Sequence, residues 1–249
     1  MFKQLSIVSV LIVAILYLLL FPSLLFFLDK PNASDLNRIA YSIVLSLSTA
    51  TISTLIAMLI GIPASYALSR YDFFGKNFID ALLELPLVVS PLALGAIVLL
   101  FFNNPIGRWL ANHGITPIFQ ISGIVVAQFI TVIGVAIRMI KQAFDSVPKY
   151  YENVSRSLGA NSFKAFTTVI IPLSKKGILA AFMVCFAKSI GEFGATLMIA
   201  GSMPFKTETV PIGIFLALSN ANITRAVWLI VILTSIGLIS LILSRRIIK

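Results

Sequence analysis

The chain has 249 residues, of which 59% are hydrophobic and 11% charged, with a mean hydropathy of +1.02. That is far too apolar for a soluble domain, and the charges gather between long uncharged runs, so the sequence is that of a multi-span membrane protein. The net charge of +10 is then no sign of a nucleic-acid partner, because basic residues that flank spans are what the positive-inside rule produces.

The first apolar run, residues 5–28, follows Lys3 and can cross a hydrocarbon core of about 30 Å. It ends in SLLFFLDKPN, without the small residues of a signal cleavage site, and is therefore expected to be a span. The second run, residues 40–68, contains Pro63 and carries Ser42, Ser46, Thr49 and Ser53 at helical spacing. A hydroxyl face of that kind predicts helix packing inside a bundle rather than a ligand path. A basic turn at residues 70–76 leads to a third run, residues 81–102, whose start should be kinked by Pro86 and Pro91.

Residues 101–119 carry Asn103, Asn104, Pro105, Gly107, Arg108 and His113, a loop composition with room for one short helix. His113 is the single histidine and is expected at the surface; with Cys185 the single cysteine, the sequence offers neither a disulfide nor a metal-ligand cluster. The fourth run covers residues 121–140, the fifth 177–200 and the last 226–243, which makes six spans.

The long polar interruption, residues 141–176, reads as folded. Ser146 is placed as an N-cap with Pro148 just inside a helix start, Gly159 to end that helix, and Ser162 to cap a second one running to Pro172. Tyr150, Val154 and Leu158 fall on the first helix and Phe163, Phe166 and Val169 on the second, with Lys149, Arg156 and Lys164 between them. These residues suit either a docking surface for a soluble partner or a solvated connector on the headgroups.

One side of the membrane receives Lys3, Arg70, Lys76, Arg138, Lys141, Lys149, Arg156, Lys164, Lys175, Lys176, Arg245, Arg246 and Lys249, thirteen in all, and the other only Lys30, Arg38, Arg108, Lys206 and Arg225. The first side is expected to be cytoplasmic, with both termini and residues 141–176 on it.

The fifth run is unusual in carrying Lys188 and Glu192, with Gly191 and Gly194 beside them. A charge near mid-bilayer costs about 2.5 to 3.5 kcal/mol on insertion scales, so both should face protein or water. Four apart, they are expected on one helix face. Ala187, Gly191 and Ala195 form a small-residue stripe beside them that would admit a close helix neighbour. A pair lining a path and a mutually neutralising pair buried for packing both fit.

No G-x-x-x-x-G-K-[ST] phosphate loop occurs, FFGKN at residues 73–77 being the nearest, and there is no H-E-x-x-H or G-x-S-x-G. Catalysis by this chain alone is not expected.

The interruption resembles the signature of bacterial and archaeal binding-protein-dependent ABC importer permeases, E-A-A, three residues, Gly, nine residues, I-x-L-P. Gly159 is followed after nine residues by Val169-Ile170-Ile171-Pro172, while Asn153-Val154-Ser155 stands where E-A-A would, with Glu152 one position early. GIPASYALSRYDFFGKNFIDALLELPLVVSP, IGRWL and AKSIGEFGATLMIAGSMPFKTETVPIGIF are similar to the oxyanion branch, and GEFGATLMIAG to molybdate or tungstate permeases; the resemblance covers residues 40–215.

The resemblance implies an all-α permease of the type I importer kind, one transmembrane domain over residues 1–249 with a coupling loop at 141–176, in the plasma membrane of a prokaryotic cell. It implies a homodimer that moves molybdate or tungstate inward by alternating access, with a sulfate or thiosulfate importer as the alternative and a stand-alone secondary transporter behind it. Two cytoplasmic ATPase subunits would dock through Glu152, Asn153, Arg156, Gly159, Phe163, Lys164 and Pro172. Lys188, Glu192, Gly191 and Gly194 would border the path. The remaining partners would be an extracytoplasmic oxyanion-binding protein and membrane lipid, with no nucleic acid. ATP and Mg would be used by the ATPase, this chain binding no cofactor. With Lys249 soon after the last run, no appended regulatory domain is expected.

Overall fold

The computed structural model describes residues 7–248 apart from 10, 13–14, 16–18 and 20, and the described residues contain helices and no strand. The first apolar run, residues 5–28, thus lies partly outside the described residues. Its described end closes in a short 3-10 turn, Leu24–Phe27.

Helix α1, Ala33–Arg70, spans 38 residues and is longer than its apolar run at both ends. Asp35 lies in its first turn and Arg70 in its last, charges of the sign that each end of a helix dipole favours. The face Ser42, Ser46, Thr49 and Ser53 is buried, as its spacing predicts. It packs against α5, Ile121–Asp145, and a Cβ at Gly61 would touch Ile140, Ala136 and Ile137 at 3.5–3.7 Å. The core formed there joins Ala57, Met58, Tyr66, Val132, Ala136, Ile140, Phe144 and Cys185.

The third run bends between Pro86 and Pro91, where those prolines predict a kink, and the kink is a full break. It is split into α2, Lys76–Val88, and α3, Pro91–Asn103, with a bend of 108° between them. Ser90 turns out of the helix and its Oγ accepts from the Ala93 N–H at 3.3 Å, while Pro91 starts α3, where its missing N–H costs nothing. The short helix expected in the next segment is α4, Pro105–Asn112, capped by Asn104, whose Oδ1 accepts from the Gly107 N–H at 2.9 Å. His113 is exposed, as expected.

After α5 come α6, Lys149–Ser157, and α7, Ser162–Ala165; a π turn, Phe166–Ile170, leads into α8, Ile171–Ile190. The fifth run breaks after α8 and resumes as α9, Gly194–Ala200. Helix α10, Val210–Ser219, is a ten-residue apolar element with no counterpart among the predicted spans, and α11, Ile223–Ile248, contains the sixth run. Among the described residues, four helices are long and apolar enough to cross a membrane, and the bent pair α2–α3 makes a fifth crossing if it counts as one. The fold is that of an all-helical, multi-pass membrane protein.

Candidate functional site

Residues 141–176 fold as a helical pair, but with different caps from those expected. Ser146 ends α5, its N–H donating to the Gln142 carbonyl at 3.1 Å, and Pro148 itself is the residue before α6. Gly159 ends the first helix as predicted, at φ +90°, a conformation that residues with a Cβ rarely adopt. Asn161, not Ser162, caps α7, its Oδ1 accepting from the Lys164 N–H at 2.8 Å. Pro172 does not stop the second helix: α7, the π turn and α8 run on as one helical stretch, Ser162–Ile190. Pro172 sits in the first turn of α8, and the π turn before it takes up the change in hydrogen-bond register that a residue without an N–H imposes.

The pair has an inner and an outer face. Glu152 is only 7% exposed and points into the body of the molecule. Its Oε1 accepts from the Tyr66 hydroxyl at 2.7 Å, and its Oε2 lies 3.4 Å from Arg70 Nε, an ion pair without a hydrogen bond. The same guanidinium donates to the carbonyls of Phe144 and Val147, at 3.0 and 2.8 Å, at and just beyond the end of α5. Tyr66 also packs on Phe166, with ring centroids 4.6 Å apart. Glu152 was expected among the docking residues; its side chain is turned inward, where it braces the helix on Tyr66 and Arg70.

On the outer face Asn153, Arg156, Gly159, Phe163 and Lys164 are all exposed, and Pro172 is exposed farther along. Leu158 is 83% and Phe163 74% exposed, apolar side chains with nothing among the described residues to cover them. An open groove of about 600 Å³ runs between Tyr150, Val154, Leu158, Gly159, Lys164 and Val169. Such a rigid, basic, aromatic-lined groove is suited to receive an apolar side chain from another protein. Outside the spans, Lys76 pairs with Asp72 at 2.9 Å in the turn between α1 and α2 and holds that carboxyl below its ordinary range.

Lys188 and Glu192 do not share a helix face, because α8 ends at Ile190 and Gly191 closes it, the Glu192 N–H donating to the Ser189 carbonyl at 3.1 Å. Glu192 is buried, and its Oε1 accepts from the Ala195 N–H at 3.0 Å, at the start of α9, where negative charge is favoured. Lys188 is half-buried and has no ion pair among the described residues. The break has a packing cause: a Cβ on Gly194 would lie 2.9 Å from the Leu92 nitrogen, and one on Gly95 would lie 2.8 Å from the Ala195 Cα. The two interrupted runs therefore meet at their breaks, and the expected stripe Ala187–Gly191–Ala195 is divided, with Gly191 exposed and Ala195 buried against α3. Beside Lys188, Ser189 Oγ lies 3.3 Å from the hydroxyls of both Ser53 and Thr54, and the Ser53 hydroxyl lies 3.2 Å from Gln128 Oε1.

Residues 53–249 match the family described as binding-protein-dependent transport system inner membrane component. The chain belongs to that family. It is 35% identical over 237 residues to the probable molybdenum ABC transporter permease protein of Haloferax volcanii, covering 93% of this chain and 85% of that one. It is 31% identical to the molybdate/tungstate transport system permease protein WtpB of Methanocaldococcus jannaschii, over 86% of this chain and 84% of that one. The probable transport system permease protein NifC of Clostridium pasteurianum is 34% identical over 70% of this chain, which spans only 62% of its length. A bacterial alginate ABC transporter, solved in complex with an alginate-bound periplasmic protein, shares the fold with a TM-score of 0.71 at 13% identity, over 98% of this chain and 94% of that one.

One charged cluster of this transport system component was not foreseen. Glu208 is fully buried and Arg225 nearly so, and the two are paired. Arg38 Nε approaches the other Glu208 oxygen at 2.8 Å. Asn222 donates to Asp35 at 3.2 Å and accepts from the Arg225 N–H at 3.0 Å, so the starts of α1 and α11 are tied together around one carboxylate. Arg38 and Arg225 were counted only as loop cations. The signal was present, since Glu208 is the one acidic residue after Glu192 and needs a partner once buried.

Proposed function

We propose that the chain is the transmembrane subunit of an importer that moves molybdate or tungstate into a prokaryotic cell. It acts as a homodimer of six-span protomers, with both termini and α6–α7 in the cytoplasm, and opens alternately to the two sides of the membrane. Two separate ATPase subunits dock in the groove of α6 and α7 and use ATP and Mg; this chain is non-catalytic and binds no cofactor. An extracytoplasmic binding protein delivers the anion.

The observation that carries the reading is the construction of α6–α7: an apolar and basic outer face left open, backed by a buried carboxylate that fixes it to α1 and α5. A braced helix transmits a push that a floppy loop would absorb. The choice of anion is supported by the molybdate and tungstate relatives and by Lys188, half-buried and without an ion pair among the described residues, which offers the positive charge a divalent oxyanion needs.

The test is reconstitution in vesicles with the ATPase and the binding protein. ATP-dependent uptake of molybdate or tungstate that requires all three components is expected, with sulfate poorly taken up. Failure of the chain to hold an ATPase subunit would overturn the proposal, and preferential sulfate uptake would overturn its choice of anion.

A further inference from the structure

Among the described residues, α1 is the one helix clamped by buried ion pairs at both ends. Near one end Tyr66 and Arg70 hold Glu152 of α6. Near the other Arg38 holds Glu208 and, through it, Arg225 of α11. Arg38 and Arg70 are 32 residues apart, about 48 Å along a helix that rises 1.5 Å per residue.

The segment around Glu208 is seated on α1 by more than its charge. The Tyr41 hydroxyl donates to the Lys206 carbonyl at 3.2 Å, and the Phe205 ring lies 5.7 Å from that of Tyr41. Ser46 Oγ accepts from the Val210 N–H at 2.7 Å. Phe205 has φ +54° and Gly201 φ +75°, so residues 201–209 form a bent strap, not a helix, and its position is set by what holds it. Between its ends α1 is keyed to α5 and α8 by buried hydroxyls, with Ser53 on Gln128 and Ser189, which resist sliding in a way that a smooth apolar face does not.

A buried ion pair is weak evidence of stability, since well-packed apolar side chains often do as well; what these pairs can add is a fixed register between two elements. We propose that α1 is a lever that carries the position of α6 to the strap at residues 201–209 on the opposite end of the molecule. Glu152, Tyr66 and Arg70 form its input clamp, and Arg38, Glu208 and Arg225 its output clamp; all are positioning residues. When an ATPase partner shifts α6, the lever moves the strap and so the outer end of the path. The inference rests on the proposal that α6–α7 is the ATPase docking face.

The single cysteine, Cys185, is buried, which makes site-specific labelling practical. In a Cys185→Ala background, Lys206→Cys on the exposed strap would be labelled with a membrane-impermeant maleimide, using the assembled permease–ATPase complex in lipid nanodiscs, nucleotide-free and trapped with ATP. The labelling rate is expected to change severalfold on trapping. Adding Arg38→Gln, which leaves Glu208 paired with Arg225, should abolish that change while the ATPase stays bound and the unfolding midpoint holds; Glu152→Gln, which keeps an acceptor for Tyr66 but strips the nearly buried Arg70 of its counter-charge, should abolish it at a lowered midpoint. A nucleotide-dependent change that persists in both variants overturns the lever, as does its absence from the parent complex. A parent protein that binds no ATPase overturns the docking proposal and the lever with it.

Discussion

Ser53 on α1 and Ser189 on α8 face each other with their hydroxyl oxygens 3.3 Å apart, in an interior where neither is exposed to solvent. Hydroxyls between helices in a membrane contribute modestly, on average about 0.6 kcal/mol and at most about 1.7. Ser189→Ala should therefore lower the unfolding midpoint slightly and leave the fold intact. Ser189→Leu, which forces a large side chain between packed helices, should cost more, about 1–3 kcal/mol. Thermal unfolding in detergent separates the two, and equal effects would mean the site is not close-packed.

Gly159 has no atom within 4 Å of where a Cβ would sit, so any penalty there comes from its φ of +90° and not from a clash. Gly159→Val should leave membrane insertion unchanged and raise ATP hydrolysed per anion transported, because the turn between α6 and α7 relaxes to another angle, at a strain of about 1–2 kcal/mol. Gly159→Asn should be milder. Wild-type coupling in the valine variant would remove the turn from the mechanism.

Arg156, Phe163 and Lys164 project from the outer face of α6–α7. Replacing all three with Ser should cost the ATPase its grip while the permease remains folded, so affinity purification in detergent should recover the permease alone. Recovery of an unchanged complex would locate the docking surface elsewhere.

The separation of Lys188 from Glu192 gives a distinct expectation. Two groups that do not touch should contribute independently, within about 0.5 kcal/mol, in a double-mutant cycle on stability built from Lys188→Met and Glu192→Gln. Lys188→Met should fold and assemble yet transport poorly; Glu192→Gln, which keeps an acceptor for the Ala195 N–H, should change transport less. Strong coupling between the two in the stability measurement would restore the paired arrangement.

Removing the charge of Glu208 should be far more severe. Glu208→Gln leaves the nearly buried Arg225 without its counter-charge, a loss of about 3–5 kcal/mol, visible as a large drop in the yield of folded protein. A Glu208→Gln, Arg225→Met double variant should recover much of it, and no recovery would point to a different role for the pair.

Apolar run length located α1, α5, α8 and α11, because burial in lipid demands it. It was blind to the ends of α1, where the helix continues past the last apolar residue as far as Arg70, held there by carbonyls of α5. Pro86 and Pro91 announced the break at residues 89–90, but the one at 191–193 was not legible, nor was the meeting of the two, where Gly95 and Gly194 let backbones touch across about a hundred positions of sequence. Helix α10 is too short to register as a span. Gly159 and the exposed Phe163 could be placed from local spacing, but Glu152 could not: which way it points depends on Tyr66 and Arg70, far off in sequence.

The meeting of α3 with α9 also bears on how the chain is made. At 13 and 7 residues, neither helix is long enough to cross a bilayer that needs about 20, and each covers the other's backbone only once both exist. Gly95 must wait for Ala195, and at about 5–20 residues per second the hundred residues between them take about 5–20 s to synthesise. During that interval α3 has α5 beside it, where Val98 meets Ala127, but nothing against its Gly95 backbone. With Val98→Cys as the one cysteine, in a Cys185→Ala background, ribosome-bound chains stopped before residue 191 should be labelled by a water-soluble cysteine reagent, and chains long enough to bring residues 194–200 out of the ribosome should not.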